Sequence, residues 1–138
     1  EGFGSSYEKA KSAIAAVRLH FPNRELIIVF EPHTFSWRNR DALHWYDDVF
    51  AGARKVYIFE PATQGASTHQ QLSQEEIVER VQQAGCTAEA ISDPEKTLSL
   101  LQRELHSDDV VLLLTSGNLG GLIASIPHML EEQFPKTL

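Results

Sequence analysis

Five consecutive apolar residues, Leu26-Ile27-Ile28-Val29-Phe30, run directly into the polar and aromatic stretch Glu31-Pro32-His33-Thr34-Phe35-Ser36-Trp37-Arg38-Asn39. An unbroken apolar run of strand length is the pattern of a strand buried on both faces, and such strands belong to parallel sheets covered by helices. Two more runs have this form: Lys55-Val56-Tyr57-Ile58-Phe59 and Asp109-Val110-Val111-Leu112-Leu113-Leu114. Thr87-Ala88-Glu89-Ala90-Ile91 is a weaker strand of the same length.

Between these runs the apolar spacing changes to that of helices. Tyr7, Ala10, Ile14, Val17 and Phe21 predict an amphipathic helix over 6–20, with Ser5 and Glu8 in capping-box spacing and Pro22-Asn23 ending it. Leu43, Tyr46, Val49 and Phe50 predict a helix over 41–52. Ser73 and Glu76 form a second capping box, with Leu72 and Ile77 placed as a hydrophobic staple and Gly85 as the stop. Asp93 caps a helix that begins at Pro94 and turns Leu98, Leu101 and Leu105 to the core. A last helix is expected over 121–133.

Strand and helix therefore alternate along the chain. That order predicts an α/β fold: a three-layer, Rossmann-like domain with a mostly parallel sheet and helices on both faces, joined by right-handed crossovers. The chain opens on a loop and helix, so a strand is expected upstream, and Glu1 is read as a boundary rather than a natural start.

Composition narrows the function. With 138 residues the chain suffices for one domain with a sizeable core. Its net charge of -7 argues against a broad nucleic-acid surface, which needs clustered Lys and Arg. Cys86 is the only cysteine, which excludes an internal disulfide and a cysteine metal cluster and fits a reducing compartment. No apolar stretch approaches the roughly 20 residues that span a bilayer.

Ligands of open parallel sheets bind outside the carboxyl ends of the strands. Three loops leave those ends: 31–40, 60–72 and 115–121. A fourth segment, Gly2-Phe3-Gly4-Ser5-Ser6, enters the first helix and belongs on the same edge if the upstream strand is present. The loop Thr115-Ser116-Gly117-Asn118-Leu119-Gly120-Gly121 ends in a helix N-terminus. It is either an anion cradle of free N–H groups or a tight turn that needs glycine for steric reasons. Arg38 has the planar guanidinium that grips a carboxylate in two places, or is an ordinary surface arginine. His33 is a candidate site residue or a solvated loop histidine. Trp37 and Phe35 either wall a pocket or pack beneath the loop. His44, His69, His106 and His128 lack metal-ligand spacing, and Cys86 reads as a small filler. Asp47-Asp48 and Glu131-Glu132 read as solvated helix faces. No nucleophile–base–acid set, P-loop lysine or metal cluster can be assembled, so any chemistry needs groups from elsewhere.

Three segments carry a family resemblance. Val29-Phe30-Glu31-Pro32-His33-Thr34-Phe35-Ser36 is similar to a strand followed by Gln/Glu-Pro-His-x-Tyr/Phe-Ser and an arginine. Glu1-Gly2-Phe3-Gly4-Ser5-Ser6-Tyr7 is similar to an entry segment Asp-Asp-Tyr/Phe-Ala/Gly-His-His-Pro, and 115–121 to a glycine-rich turn after the last apolar strand. The spacing from Asp48 to Ala62 also agrees. Together these resemble the C-terminal domain of the Mur ligases, ATP-dependent amide-forming enzymes of peptidoglycan assembly, over essentially the whole chain. The likeness is strongest to the branch whose acceptor is L-alanine and to a recycling relative that adds a cell-wall tripeptide. Gly2 departs from the second aspartate, Ser5 and Ser6 from the paired histidines, and Arg38 is displaced by one position, with Trp37 in the expected slot.

The resemblance implies a closing domain whose N-terminal UDP-binding and central ATPase partners lie outside this chain. ATP and Mg2+ serve the full-length enzyme, neither held tightly by this domain alone, and the substrates are UDP-N-acetylmuramate and L-alanine or a peptide. It also implies that His33 and Arg38 contact a substrate carboxylate, that Phe3 lines the same pocket, and that Ser5, Ser6 and Asn118 lie at the nucleotide. No catalytic residue and no metal ligand is expected here, and the chain alone should be inactive. Two other classes compete: a stand-alone α/β nucleotide- or anion-binding module, and a small α/β hydrolase. The hydrolase is disfavoured because no Ser or Cys sits on a nucleophile elbow.

Overall fold

The computed structural model describes residues 6–32, 40–60, 72–115 and 121–133. In chain order these form α1 (Ser6–His20), β1 (Leu26–Phe30), a 3-10 helix (Arg40–Asp47), β2 (Lys55–Phe59), α2 (Gln74–Gln83), β3 (Ala88–Ile91), α3 (Pro94–Glu104), β4 (Val110–Leu114) and α4 (Leu122–Gln133). The strands make one sheet in the order β3-β2-β1-β4. Every pairing is parallel, with Phe30 opposite Ile58 on one side and Leu114 on the other. The expected α/β architecture is present.

Alternation along the strands builds two cores. Ile28 and Phe30 in β1, with Val56 and Ile58 in β2, point to the face covered by α1, the 3-10 helix and α2. Ile27, Val29 and Tyr57 point to the other face, covered by α3 and α4 through Leu101, Ile126 and Met129. All five residues of β1 are buried, which is why that run shows no polar alternation. Each such side chain contributes roughly 1.5–3 kcal/mol by leaving water.

The distribution of helices follows from handedness. From β1 to β2 to β3 the chain steps in one direction, and the intervening elements lie on one face. From β3 to β4 it returns past β2 and β1, and α3 lies on the opposite face. A constant right-handed crossover requires that switch when the direction reverses.

Two of the three predicted caps form, and the first, Ser5 with Glu8, includes a residue outside the described ones. Ser73 Oγ accepts from Glu76 N at 3.1 Å, and the Glu76 carboxylate accepts from Ser73 N at 2.9 Å. Leu72 and Ile77 are buried together beside it. Asp93 accepts from Glu95 N at 2.9 Å ahead of Pro94. Gly85 adopts φ +102, the left-handed conformation that ends α2 at low steric cost. Leu101 and Leu105 are buried as expected, Leu98 packs against them, and Thr97 joins the buried side of α3.

Two expectations need correction. The helix over 41–52 is instead a 3-10 helix over Arg40–Asp47, followed by turns that reach Gly52 at φ +94. Leu43, Tyr46 and Val49 are spaced by three, which a three-residue turn stacks on one side. Asp47 and Asp48 would also place negative charge at the unfavourable end of a continuing α-helix. Both are exposed but paired: Asp47 with Arg80, and Asp48 with Tyr7 and Lys11. The second correction is Phe21, which lies beyond the end of α1, partly exposed, with Arg24 over its ring. In α1 the buried positions are Ala10 and Ile14, with Tyr7 and Val17 packed beside them.

The amino edge of the sheet is tied by charge. Arg54, just before β2, grips Asp109, just before β4. Lys55 Nζ donates to Glu89 at 2.8 Å and to Glu104 at 2.9 Å, and the buried Tyr57 hydroxyl also donates to Glu104. Burial opposes the Lys55 charge, but the two carboxylates outweigh it and raise its pKa. Burial raises the Tyr57 pKa, reinforced by the bond to Glu104. The Glu104 carboxyl is held below its usual range by the Tyr57 hydroxyl and, beyond the opposing effect of burial, by Lys55.

Candidate functional site

At the opposite, carboxyl edge, β1 and β4 are neighbours whose continuations diverge. The chain after β1 goes to the 3-10 helix on one face, and the chain after β4 goes to α4 on the other. This is a topological switch point, the place where an open parallel sheet forms a ligand crevice.

The residues that close the two strands meet there. Glu31 and Thr115 follow the paired residues Phe30 and Leu114. Glu31 N donates to Leu114 O at 3.0 Å, extending the ladder by one bond. Thr115 Oγ1 donates to Glu31 Oε1 at 2.6 Å, in the range of a charge-assisted O–H···O⁻ bond. Glu31 is only 8 % exposed. A buried carboxylate is expensive without such partners. Pro32, also buried, has no N–H to offer a further ladder bond, so the strand stops there.

A second tie spans the other half of this edge. Gln74 Nε2, at the start of α2, donates to Ile58 O and Ile91 O, both at 2.8 Å, and so bridges the ends of β2 and β3. Beneath β1 lies an aromatic floor in which the Phe30 ring is 5.1 Å from Phe50 and 6.0 Å from Tyr46. Burial raises the Tyr46 pKa well above its ordinary value. Tyr7, near the start of α1, stacks at 5.6 Å on Trp45 and donates to Asp48 at 2.7 Å. Its ring joins the first turn of α1 to the 3-10 helix.

α1 runs back from Ser6 towards the amino end of β1, so its first turn lies on the carboxyl side. Its length of about 22 Å exceeds the roughly 16 Å of a five-residue strand. α4 begins at Leu122 after Gly121, whose φ is +95. Its first N–H groups therefore belong to the same edge, where they favour an anion. Helix α4 continues through Pro127, which has no N–H for the turn before it.

Of the residues the sequence singles out, Ser6 opens α1. Phe3, Ser5, His33, Arg38 and Asn118 lie outside the described residues, as do Phe35, Trp37 and 61–71. The described chain brings together the strand ends from which the 33–39 and 116–120 segments depart. It also supplies a pair that sequence reasoning did not select, Glu31 and Thr115. The one sequence signal for it was an acidic residue directly after an all-apolar strand. Cys86 is half-buried, its thiol pushed up by burial and donating weakly to Phe50 O at 3.4 Å, as befits a filler. Among the described residues no three His, Cys, Asp or Glu side chains are grouped to hold a metal ion. No described helix is long and apolar enough to cross a membrane.

Comparison with known proteins agrees with this architecture. The family described as Mur ligase, glutamate ligase domain, matches residues 3–117. The UDP-N-acetylmuramate–L-alanine ligase of Desulfitobacterium hafniense is 31% identical over 110 residues, covering 79% of this chain and 24% of that protein. A murein peptide ligase structure from Psychrobacter arcticus superposes with a TM-score of 0.67 at 13% identity, covering 99% of this chain and 27% of the other. A UDP-N-acetylmuramate-alanine ligase structure from Thermotoga maritima gives 0.62 at 14% identity, covering 94% and 25%. The chain thus spans about a quarter of the length of the curated relatives it matches.

Proposed function

The chain belongs to the Mur ligase family, and from that premise we infer that it is the C-terminal closing domain of an ATP-dependent ligase joining L-alanine to UDP-N-acetylmuramate. In this reading an N-terminal UDP-binding domain and a central ATPase domain precede it in the same polypeptide. The central domain supplies the P-loop and the Mg2+ ligands. The muramyl carboxylate takes the γ-phosphoryl group and releases ADP. The amine of L-alanine then attacks the acyl carbon, phosphate leaves, and the nitrogen loses a proton as the amide forms. The cytoplasm, where nucleotide substrates are available, is the compartment this implies.

This domain's contribution is placement and exclusion of water. His33 and Arg38 hold the amino substrate's carboxylate, with Phe3 against its side chain. Arg38 suits that role because its guanidinium matches a carboxylate in two-point geometry. Ser5, Ser6 and Asn118 lie towards the nucleotide, where the N-terminus of α4 favours phosphate. The supporting observation is the junction of β1 and β4. The strand before the His33–Arg38 loop and the strand before the Asn118 turn are neighbours, tied end to end by Glu31 and Thr115.

The deciding experiment compares the full-length ligase with the 138-residue chain. The full-length enzyme should form ADP and amide with L-alanine, and the chain alone neither. Turnover by the chain alone, or amide formation only with the cell-wall tripeptide, contradicts this reading. The tripeptide result would instead mark a muropeptide ligase. Tight nucleotide binding by the chain alone would favour the stand-alone module.

A further inference from the structure

We propose that Glu31 and Thr115 are a positioning pair that sets where the two substrate loops leave the sheet, and through it the affinity for the amino substrate. The inference rests on the closing-domain reading above and adds to it two residues that touch neither substrate.

The observations are geometric. The pair lies at the switch point, one residue beyond the register Phe30↔Leu114. Each member is the last residue or the last but one before a loop: His33 follows Glu31 by two positions, and Ser116 follows Thr115 directly. The strands' alternation, continued one step, puts both side chains on the same side of the sheet, and the bond of 2.6 Å joins them. The backbone bond from Glu31 N to Leu114 O fixes one strand end against the other, while the side-chain bond fixes the exit beyond it. The partners are 84 positions apart, so the bond ties two exits that are remote in sequence. A buried carboxylate also makes the tie directional. Removing the Thr115 hydroxyl takes one donor from a buried carboxylate and one restraint from the strand end at Pro32.

The test uses the full-length ligase, with initial rates at varied L-alanine and saturating ATP and UDP-N-acetylmuramate. Thr115→Val, which keeps the shape and removes the hydroxyl, should raise the KM for L-alanine about tenfold, the effect of about 1.4 kcal/mol, and change kcat less than about threefold. Thr115→Ser should restore the wild-type KM. Glu31→Asp keeps the charge but withdraws it by one methylene, and should raise KM as Thr115→Val does. That variant carries the test if Thr115→Val fails to fold. Combining the two changes should cost no more than either alone, because both break the same tie. A wild-type enzyme without amide formation overturns the closing-domain reading and this proposal with it. An active wild type whose KM is moved less than twofold by Thr115→Val or Glu31→Asp overturns the positioning pair alone, even if the melting temperature falls. A fall in kcat at constant KM also overturns it.

Discussion

Arg54 donates two hydrogen bonds to the carboxylate of Asp109, at 3.0 and 2.8 Å, across 55 positions of sequence. The Asp109 side chain is 4% exposed, and it also accepts from His106 N at 2.8 Å. Arg54 N donates to Leu26 O as well, so one residue links the entries of β2, β1 and β4.

Arg54→Ala is therefore expected to destabilise the chain by about 2–3 kcal/mol, mostly by leaving Asp109 buried without its guanidinium. Arg54→Ala with Asp109→Asn should cost less than the sum of the two single changes. Urea unfolding of the four proteins gives the coupling directly, and strict additivity would show that the pair contributes no more than its separate parts.

Tyr57→Phe removes the buried hydroxyl from Glu104 while keeping the ring. The loss should be about 1.5–3 kcal/mol at neutral pH, as for a hydrogen bond to a charged group. Because that hydroxyl is the largest cause of the lowered Glu104 pKa, the variant should also titrate Glu104 closer to its ordinary value. Carboxyl NMR titration measures this, and an unmoved Glu104 would contradict the link.

The same cluster sets a pH dependence. The folded-state pKa of Glu104 lies below its ordinary value of 4.5, so the unfolded chain binds the proton more readily. Its stabilisation is complete above about pH 4.5 and is lost as pH falls through the lower folded value. Lys55 acts in the opposite sense. Its pKa is raised above 10.5, so its contribution is complete below that pH and fades only at higher pH. Glu104→Gln should flatten the acid limb of melting temperature against pH and leave the neutral plateau lower. An acid limb as steep as the wild type's would assign it to other carboxylates.

Ser73→Ala should weaken α2 by about 1 kcal/mol, and Ser73→Gly by only a few tenths. Hydrogen exchange at Glu76 and Ile77 is the local readout. Loss of protection spread equally over α3 would show that the box holds more than its own helix.

In the full-length enzyme, Arg38→Ala should raise the KM for the amino substrate roughly tenfold or more, with a smaller change in kcat. An unchanged KM removes Arg38 from the pocket.

The parts of the fold legible in the sequence were those set by neighbours in the chain. Ser73 with Glu76, and Asp93 with Pro94, are caps three residues or fewer apart, and each formed. The all-apolar run of β1 declared its burial on both faces. The 3-10 helix is not distinguishable from an α-helix in the sequence because spacings of three and four overlap in Leu43, Tyr46, Val49 and Phe50. Long-range partners were not legible. Nothing in the spacing of Lys55, Glu89 and Glu104 announces that they meet, because their meeting depends on strand order, and handedness fixes which face a crossover takes but not which strand it reaches. Glu31 and Thr115 escaped for the same reason. The segments holding His33, Arg38 and Asn118 stand out as motifs in the sequence, and the structure adds that β1 and β4, the strands preceding them, are adjacent.

The ionic ties among Arg54, Asp109, Lys55, Glu89 and Glu104 all lie at the edge away from the crevice. On the closing-domain reading, changes at the carboxyl rim leave these ties untouched. On that reading, exchanging the segments after β1 and β4 with those of relatives of different acceptor preference should leave the opposite rim holding the strands in order. Chimaeras that swap 33–39 and 116–120 but retain the 54–55, 89 and 104–109 positions are the natural starting material for redirecting such a ligase.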